Sequence, residues 1–160
     1  MTSQSHETVL VGIDCSAGSA AAVRWAAAEA ARRGARLHAV HVVDLTGRAD
    51  ARLEKSPLLE LDEARRTLPS RVAGAVFRAG IEVDIAVTVA CGSVAQRLAH
   101  EAVDASVVAI GAPQGPSHAD LPRLLREQCL CPVAVVGVDG GVEFPDTLSH
   151  HTAGAGHART

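Results

Sequence analysis

The stretch of this sequence with the most evident capacity for chemistry begins at Gly111. This glycine follows the apolar residues 106–110, and a second apolar run, PVAVVGV, occupies residues 132–138. A strand, a glycine turn, a helix and a strand in this order commonly hold a phosphate on backbone N–H groups. Pro113 and Pro116 lie in the same turn, and each removes one such donor. The stretch either binds a nucleotide or is a form that has lost this ability.

Asp14 is a second candidate, because it ends the apolar run TVLVGID at residues 8–14. At the end of a buried strand, a carboxylate can bond to a ribose or a base, or can ligate a cation. It can equally cap the helix that follows. The sequence leaves both roles open.

Four cysteines offer further chemistry. Cys129 and Cys131 form a C-x-C pair, which is compatible with a redox or metal role, but a structural zinc site needs about four ligands and no second pair shows this spacing. The alternative, which we favour, is that Cys129 lies in the core and Cys131 begins a buried strand. Cys15 stands at a helix start, where the pKa of a thiol is lowered, so a reactive Cys15 is a further hypothesis. Cys91 has no comparable pattern.

The histidines predict no catalytic residue. His41 lies on an apolar run, where a histidine is more often a core or rim residue than a catalyst. The other histidines are scattered along the sequence. The residues His150, His151 and His157 are expected to be solvated. No trio of serine, histidine and acid follows from the spacing, so neither a catalytic residue nor a metal ligand is assigned.

Composition narrows the class of protein. The chain has 160 residues, which suits one domain with a core, and a formal net charge of -3 predicts no nucleic-acid or membrane surface. No stretch reaches the length of a membrane span, and the polar start MTSQSHET lacks the apolar core of a signal peptide. We therefore expect a cytoplasmic protein with reduced cysteines.

Five short apolar runs alternate with four helical patterns. The predicted strands are residues 8–14, 36–44, 81–92, 106–111 and 132–138. Such βα alternation predicts an α/β fold with a five-stranded parallel sheet and helices on both faces. Glu82 and Asp84 alternate with apolar residues, which suggests an edge for the third strand. Ligands on such sheets bind beyond the carboxyl ends of the strands, here the loops after Asp14, Val43, Gly92 and Gly111.

Capping and breaking residues delimit the helices. Ser16 or Ser19 can begin the first helix, and Ser56 with Pro57 the second; Gly34 and Gly80 can end them. Pro69 is expected to kink or split the second helix. Ser93 and Gln96 have capping-box spacing, and Asp120 is the expected cap of the fourth helix. Trp25 falls on the charged side of the first helix, where it packs under Arg stems or contacts another protein.

These elements divide the chain into three regions. Residues 1–7 are expected to form a flexible N-terminus and residues 8–138 the domain. Residues 139–160 show no periodicity and are expected to form a disordered tail.

Two segments of this sequence resemble the universal stress protein family. The opening VLVGIDCSAGSAAAVRWAAAEAARRGARLHAVHVVD is similar to the start of that family, and DASVVAIG with CPVAVV is similar to its last two strands. The resemblance covers residues 8–138. It implies a Rossmann-like fold of the adenine nucleotide alpha hydrolase-like type, and homodimers through strand 132–138. It also implies a role in the stress response without a dedicated catalytic triad, with ATP bound by some members only.

By this resemblance, three residues match nucleotide contacts of the ATP-binding members. They are Asp14, Val42 and Gly111. The family's phosphate loop, G-x2-G-x9-G-[ST], is not kept beyond Gly111. Gln114 stands at the second glycine, and no Gly-Ser or Gly-Thr pair follows. Counted back from Cys131, the last two positions fall on Ala119 and Asp120, and the loop is shorter by about five residues.

The residues of this loop agree with an impaired ATP site. Pro113, Pro116 and Pro122 lack N–H donors, and a capping Asp120 would occupy free amides and repel a phosphate. Gln114, Ser117 and His118 remain as possible donors. ATP and AMP are the cofactors that the resemblance implies. Adenosine or AMP could still bind through Asp14 and Val42, because neither contact needs the whole loop.

The function predicted is a non-enzymatic stress-response protein that acts through protein partners. The alternative is an ATP- or AMP-binding switch. A nucleotide-dependent enzyme of similar fold is disfavoured, because no catalytic group is evident.

Overall fold

The computed structural model describes residues 7–14, 17–45, 56–116 and 118–144. Within them the chain alternates strands and helices. The elements are β1 (Thr8–Ile13), α1 (Ala17–Arg33), β2 (Arg36–Asp44), α2 (Pro57–Arg78), β3 (Ile85–Gly92), α3 (Val94–Glu101), β4 (Ala105–Gly111), α4 (Leu121–Gln128), β5 (Val133–Val136) and β6 (Val142–Glu143).

One sheet contains all six strands, in the order β3-β2-β1-β4-β5-β6. The first five strands are parallel, as the βα alternation predicts, and β3 lies at one edge, as expected. The strand order reverses between β1 and β4: β2 and β3 are added on one side of β1, and β4, β5 and β6 on the other side. This point is where a doubly wound sheet offers a crevice.

The predicted count of five strands is wrong, because β6 pairs antiparallel with β5. The reversal is made by the sequence Asp139-Gly140-Gly141. Gly140 has φ +90°, and the Asp139 carboxylate accepts a hydrogen bond from the N–H of Gly141 at 2.9 Å. An Asp-Gly turn after a strand is a hairpin signal. The prediction of a disordered tail from residue 139 is therefore also wrong for residues 139–144, and residues 145–160 lie outside the described residues.

Helices cover both faces of the sheet, as predicted. The side chains of α1 and α2 pack with one face, in a cluster that includes Val9, Val11, Leu37 and Val107. The side chains of α3 and α4 pack with the other face, in a cluster that includes Leu10, Val40, Val108 and Leu125. Alternate residues of each central strand thus serve opposite cores, which explains why these strands are apolar without interruption.

The helix boundaries agree with the capping residues at most ends. The Ser56 hydroxyl accepts a hydrogen bond from the N–H of Leu58 at 3.2 Å, and Gly34 and Gly80 follow α1 and α2 with φ of +65° and +72°. However, α2 is one continuous helix, so Pro69 does not split it, and of the predicted kink or split only the kink stays a prediction. Pro69 is exposed, and the carbonyl that it leaves without a helical partner can bond to water.

Two further predictions concern α3 and α1. Ser93 begins α3, but its side chain makes no capping hydrogen bond, so the capping box is not formed. The Trp25 ring meets the Phe144 ring edge-on, with centroids 6.0 Å apart, a contact that the sequence did not predict. Packing under Arg stems and contact with another protein both stay predictions for Trp25. Phe144 follows β6, a strand that the sequence analysis did not predict, so its contact with Trp25 was not predicted either. Ser16 and residues 1–6 lie outside the described residues.

None of the helices in the described part of the chain is long and apolar enough to cross a bilayer.

Candidate functional site

A cleft of about 210 Å³ opens at the carboxyl edge of the sheet, at the point where the strand order reverses. The ends of β1, β2 and β4 form its floor and sides, and α3 and the loop before α4 close it. Its inner wall is apolar, formed by Val40, Val42, Leu98 and Ile110. Volumes of 300–1,000 Å³ are usual for drug-sized ligands, so the enclosed part of this cleft suits a single ring system.

The structure brings the three predicted contacts together around this cleft. Asp14 is exposed at the end of β1, Val42 is buried in the wall on β2, and Gly111 ends β4. They converge because the carboxyl ends of parallel neighbouring strands meet at one edge. Their role as ligand contacts stays a prediction.

The turn that carries Asp14 is held from two sides. The N–H of Asp14 donates to the hydroxyl oxygen of the buried Ser19, at 3.0 Å. On β2, Nδ1 of His41 lies 2.7 Å from the Ile13 carbonyl oxygen, so this nitrogen carries the proton and donates. His41 is therefore a rim residue that fixes the end of β1, one of the two positions that the sequence allowed.

Gly111 is required by packing as well as by its place at the cleft. A Cβ at this position would lie 2.4 Å from the carbonyl carbon of Gly18 and 2.7 Å from the N atom of Ser19. The first turn of α1 therefore touches the end of β4, backbone against backbone. The approach requires glycine at residue 111, whereas a Cβ at Gly18 would come no closer than 3.3 Å to a neighbouring atom.

Asp44 and His118 are two cleft residues that sequence reasoning did not assign together. His118 Nε2 lies 3.8 Å from a carboxylate oxygen of Asp44, so the loop before α4 reaches across the cleft to the end of β2. His118 has φ +62°, a left-handed conformation that is uncommon for a residue with a side chain. Asp44 ends the predicted strand HVVD as Asp14 ends the first, which was an available signal. Nothing in the sequence indicates the backbone conformation of His118.

The structure contradicts the predicted capping role of Asp120. This residue stands before α4, but its side chain makes no capping hydrogen bond and is 76% exposed, with Arg123 3.9 Å away. Its backbone has φ −85° and ψ −5°, whereas a capping residue needs the extended region to aim its side chain at the helix amides. The first N–H of α4, that of Leu121, donates instead to the His118 carbonyl at 2.9 Å.

The electrostatics of the cleft are acidic. Among its described lining residues are the carboxylates of Asp14 and Asp44 and the imidazole of His118, but no lysine or arginine. A neighbouring cleft of about 260 Å³ on the α2 side of Asp14 contains Glu60, Glu63 and Arg71. An apolar slot with carboxylates at its mouth suits a flat ring whose substituents donate hydrogen bonds, such as hydroxyl groups.

A metal centre finds no support in the described residues, where no three His, Cys, Asp or Glu side chains are arranged to hold an ion. Cys15 and Ser117, both considered from the sequence, lie outside the described residues.

Fold and cleft together define a doubly wound α/β protein with a cleft at its switch point. The family model of the universal stress proteins, described as "Universal stress protein family", matches residues 6–137. The chain belongs to the universal stress protein family. The resemblance seen in the sequence is thereby confirmed. No curated protein matches the chain.

Solved structures agree with this assignment. A universal stress family protein from Burkholderia pseudomallei is 28% identical, with a TM-score of 0.60, and the match covers 84% of this chain and 98% of that one. A universal stress protein in complex with cAMP is 19% identical, with a TM-score of 0.62 and coverage of 83% and 98%. The Archaeoglobus fulgidus protein in complex with dAMP is 23% identical, with a TM-score of 0.56 and coverage of 81% and 97%.

Proposed function

We propose that this protein is a non-enzymatic stress-response protein with an impaired ATP site, whose cleft takes the base and ribose of an adenine nucleoside or mononucleotide. The observation that carries the proposal is the acidic lining of the cleft. Two carboxylates, Asp14 and Asp44, stand at its mouth, and the described lining includes no lysine or arginine. We further propose that the protein acts through protein partners.

A triphosphate fits this cleft poorly. Two like unit charges about 4 Å apart repel by about 1 kcal/mol in water and about 4 kcal/mol at a partly buried site. Asp44, which is not among the matched nucleotide contacts, adds such a repulsion, and a triphosphate carries several charges. The loop offers few donors in return, since Pro113, Pro116 and Pro122 lack N–H groups and the Leu121 N–H already donates to His118.

The base and ribose end fits better. Val40, Val42 and Ile110 form an apolar wall for a ring, and a carboxylate at the mouth can accept hydrogen bonds from two ribose hydroxyls. The structures with cAMP and dAMP show that proteins of this fold can hold adenine mononucleotides. These ligands have one phosphate each, which is the number that the short loop here could tolerate.

One observation favours the alternative of an ATP- or AMP-binding switch. Asp120 turns its side chain away from the start of α4, so the repulsion expected from a capping carboxylate is absent at that point. His118, when protonated, can serve as the cation for one phosphate. AMP is therefore a better candidate than ATP for such a switch.

A homodimer through strand 132–138 is part of the proposal. The outer edge of β5 pairs with β6 only at Val135 and Val136, through a strand of two residues. Such a short pairing is a weak cover for a strand edge. Exposed apolar side chains at Leu58, Leu59 and Phe77 on α2 offer a further surface for other protein partners. The cytoplasmic location stays a prediction.

Titration calorimetry with adenosine, AMP and ATP tests the ligand part of the proposal. We expect adenosine and AMP to bind and ATP to bind at least tenfold more weakly than AMP, a difference of about 1.4 kcal/mol. Asp44→Asn should strengthen AMP binding about fivefold, because it removes about 1 kcal/mol of repulsion, and should leave adenosine within twofold. Asp104→Asn, an exposed carboxylate outside the lining, is the matched control.

Micromolar binding of ATP with no effect of Asp44→Asn would contradict the impaired site and favour the switch. If neither adenosine nor AMP binds at millimolar concentration, the proposal that the cleft binds an adenine nucleoside or mononucleotide is contradicted. Steady release of phosphate from ATP by the purified protein, lost with Asp14→Asn, would contradict the non-enzymatic role.

A further inference from the structure

The connection between α4 and β5 contains two cysteines that the cleft does not use. Cys129 follows the last turn of α4, where its N–H donates to the Leu125 carbonyl at 2.7 Å, and Cys131 precedes β5 by two residues. Both side chains are half-buried and pack against the apolar cluster that contains Leu125 and Val133. Leu130 between them is fully exposed. The two sulfur atoms therefore lie on one side of the chain and Leu130 on the other, as expected for residues i and i+2 of an extended segment.

The chain geometry permits a bond between these sulfurs. Two residues of extended chain span at most about 7 Å, and a disulfide joins Cα atoms that are about 4.4–6.8 Å apart. The Leu130 side chain is not packed, so the small rearrangement that a ring of this size requires meets little resistance. Both cysteines are free thiols in the structure.

The two thiols are also chemically different. A hydrogen bond from the Cys129 thiol lowers the pKa of Cys131 to about 7. The same hydrogen bond, with burial, raises the pKa of Cys129. A thiol that donates to a neighbouring sulfur favours ionisation of that neighbour over its own, which is the division of roles that a redox dithiol needs.

We propose that Cys129 and Cys131 are a reversible redox site, which a hydroperoxide converts to an intramolecular disulfide. In the first step the Cys131 thiolate attacks the peroxide; its sulfur is oxidised to a sulfenic acid, the O–O bond breaks, and the leaving oxygen takes a proton to become water or an alcohol. In the second step Cys129 loses its proton, its sulfur attacks the sulfenic sulfur, and hydroxide leaves and is protonated to water. An external dithiol reverses the change by thiol–disulfide exchange.

Cys91 is the internal comparison for this proposal. It is an exposed thiol on the edge strand β3, with no cysteine as a neighbour among the described residues. Peroxide should leave Cys91 as a thiol or a sulfenic acid, because no resolving thiol stands beside it. The site does not depend on the nucleotide cleft, so failure of the ligand proposal leaves it unaffected.

Mass analysis of the reduced, full-length protein after treatment with hydrogen peroxide tests the proposal. Free thiols are blocked with iodoacetamide, and cleavage after Arg126 and Arg159 releases residues 127–159, which contain Cys129 and Cys131 and no other cysteine. We expect this peptide to lose the mass of two hydrogen atoms and to carry no label. Dithiothreitol before blocking should restore both labels. A peptide that takes up both labels after peroxide, or a disulfide that joins two chains, overturns the proposal.

Variants at residue 129 test whether Cys131 reacts with peroxide because of its neighbouring thiol or only because it is accessible. Cys129→Ser keeps a hydroxyl donor beside Cys131 but removes the resolving thiol, so Cys131 should stop at a sulfenic acid that dimedone traps. Cys129→Ala removes the donor as well, and the rate at which Cys131 reacts at pH 7 should fall about threefold, because fewer thiols are ionised although each thiolate is more nucleophilic. Equal rates in the two variants would overturn the role of the donor at residue 129, and absence of the dimedone label from Cys131 in Cys129→Ser would overturn the assigned nucleophile. The wild-type mass measurement stands without either variant.

Discussion

At the scale of single residues, the close approach of Gly111 to Gly18 makes a sharp prediction. Gly111→Ala should lower the free energy of unfolding by about 1–3 kcal/mol, because its Cβ would overlap the backbone of α1. Urea unfolding at neutral pH measures this change. The substitution also moves the wall of the cleft, so weaker ligand binding by this variant would not by itself identify Gly111 as a ligand contact.

Gly74→Ala is the control for that measurement. Gly74 lies inside α2, and a Cβ there would meet only the flexible guanidinium end of Arg78, at 3.1 Å. The same substitution should therefore raise the free energy of unfolding by about 0.5–1 kcal/mol, through the higher helix propensity of alanine. Equal destabilisation by both variants would contradict the packing account of Gly111.

At the scale of elements, two serines that begin helices should differ in their contribution to stability. Ser56 caps α2 through its hydroxyl, whereas Ser93 stands at the same position of α3 without such a bond. Ser56→Ala should cost about 1 kcal/mol, and Ser93→Ala should stay within about 0.5 kcal/mol of the wild type. The urea midpoints of the two variants check this. A larger loss from Ser93→Ala would mean that the capping box forms in solution.

At the scale of the whole molecule, the proposed dimer can be tested through β6. Light scattering on the full chain at tens of micromolar should give twice the monomer mass of 16.5 kDa. A chain that ends at Val138 lacks β6 and exposes the edge of β5, so its dimer should persist to lower concentration than that of the full chain. A monomer in both samples would contradict a dimer through strand 132–138.

Local pattern and chain direction were enough to predict most of the architecture. Apolar runs such as TVLVGID indicate buried strands because both faces of a parallel sheet are covered. Regular alternation with helices then requires parallel pairing and places the strand ends at one edge. For this reason the convergence of Asp14, Val42 and Gly111 could be predicted from the sequence.

The family could also be inferred from the sequence, because its opening motif is local. So could the loss of donors in the loop after β4, since each proline lacks an N–H wherever it lies. The Asp-Gly turn before β6 was equally local, and the sixth strand could have been found from it.

Only the tertiary structure decided features that depend on residues far apart in the chain. Whether Asp120 caps α4 depends on backbone angles imposed by the loop, and the approach of His118 to Asp44 joins two elements that sequence patterns treat separately. Trp25 contacts Phe144 because β6 pairs antiparallel with β5 and so brings Phe144 to α1. That Cys129 and Cys131 both pack against the cluster of Leu125 and Val133 likewise depends on how α4 and β5 meet. Periodicity specifies which face of an element is buried, but the contacts across the cleft follow from how the packed elements fit.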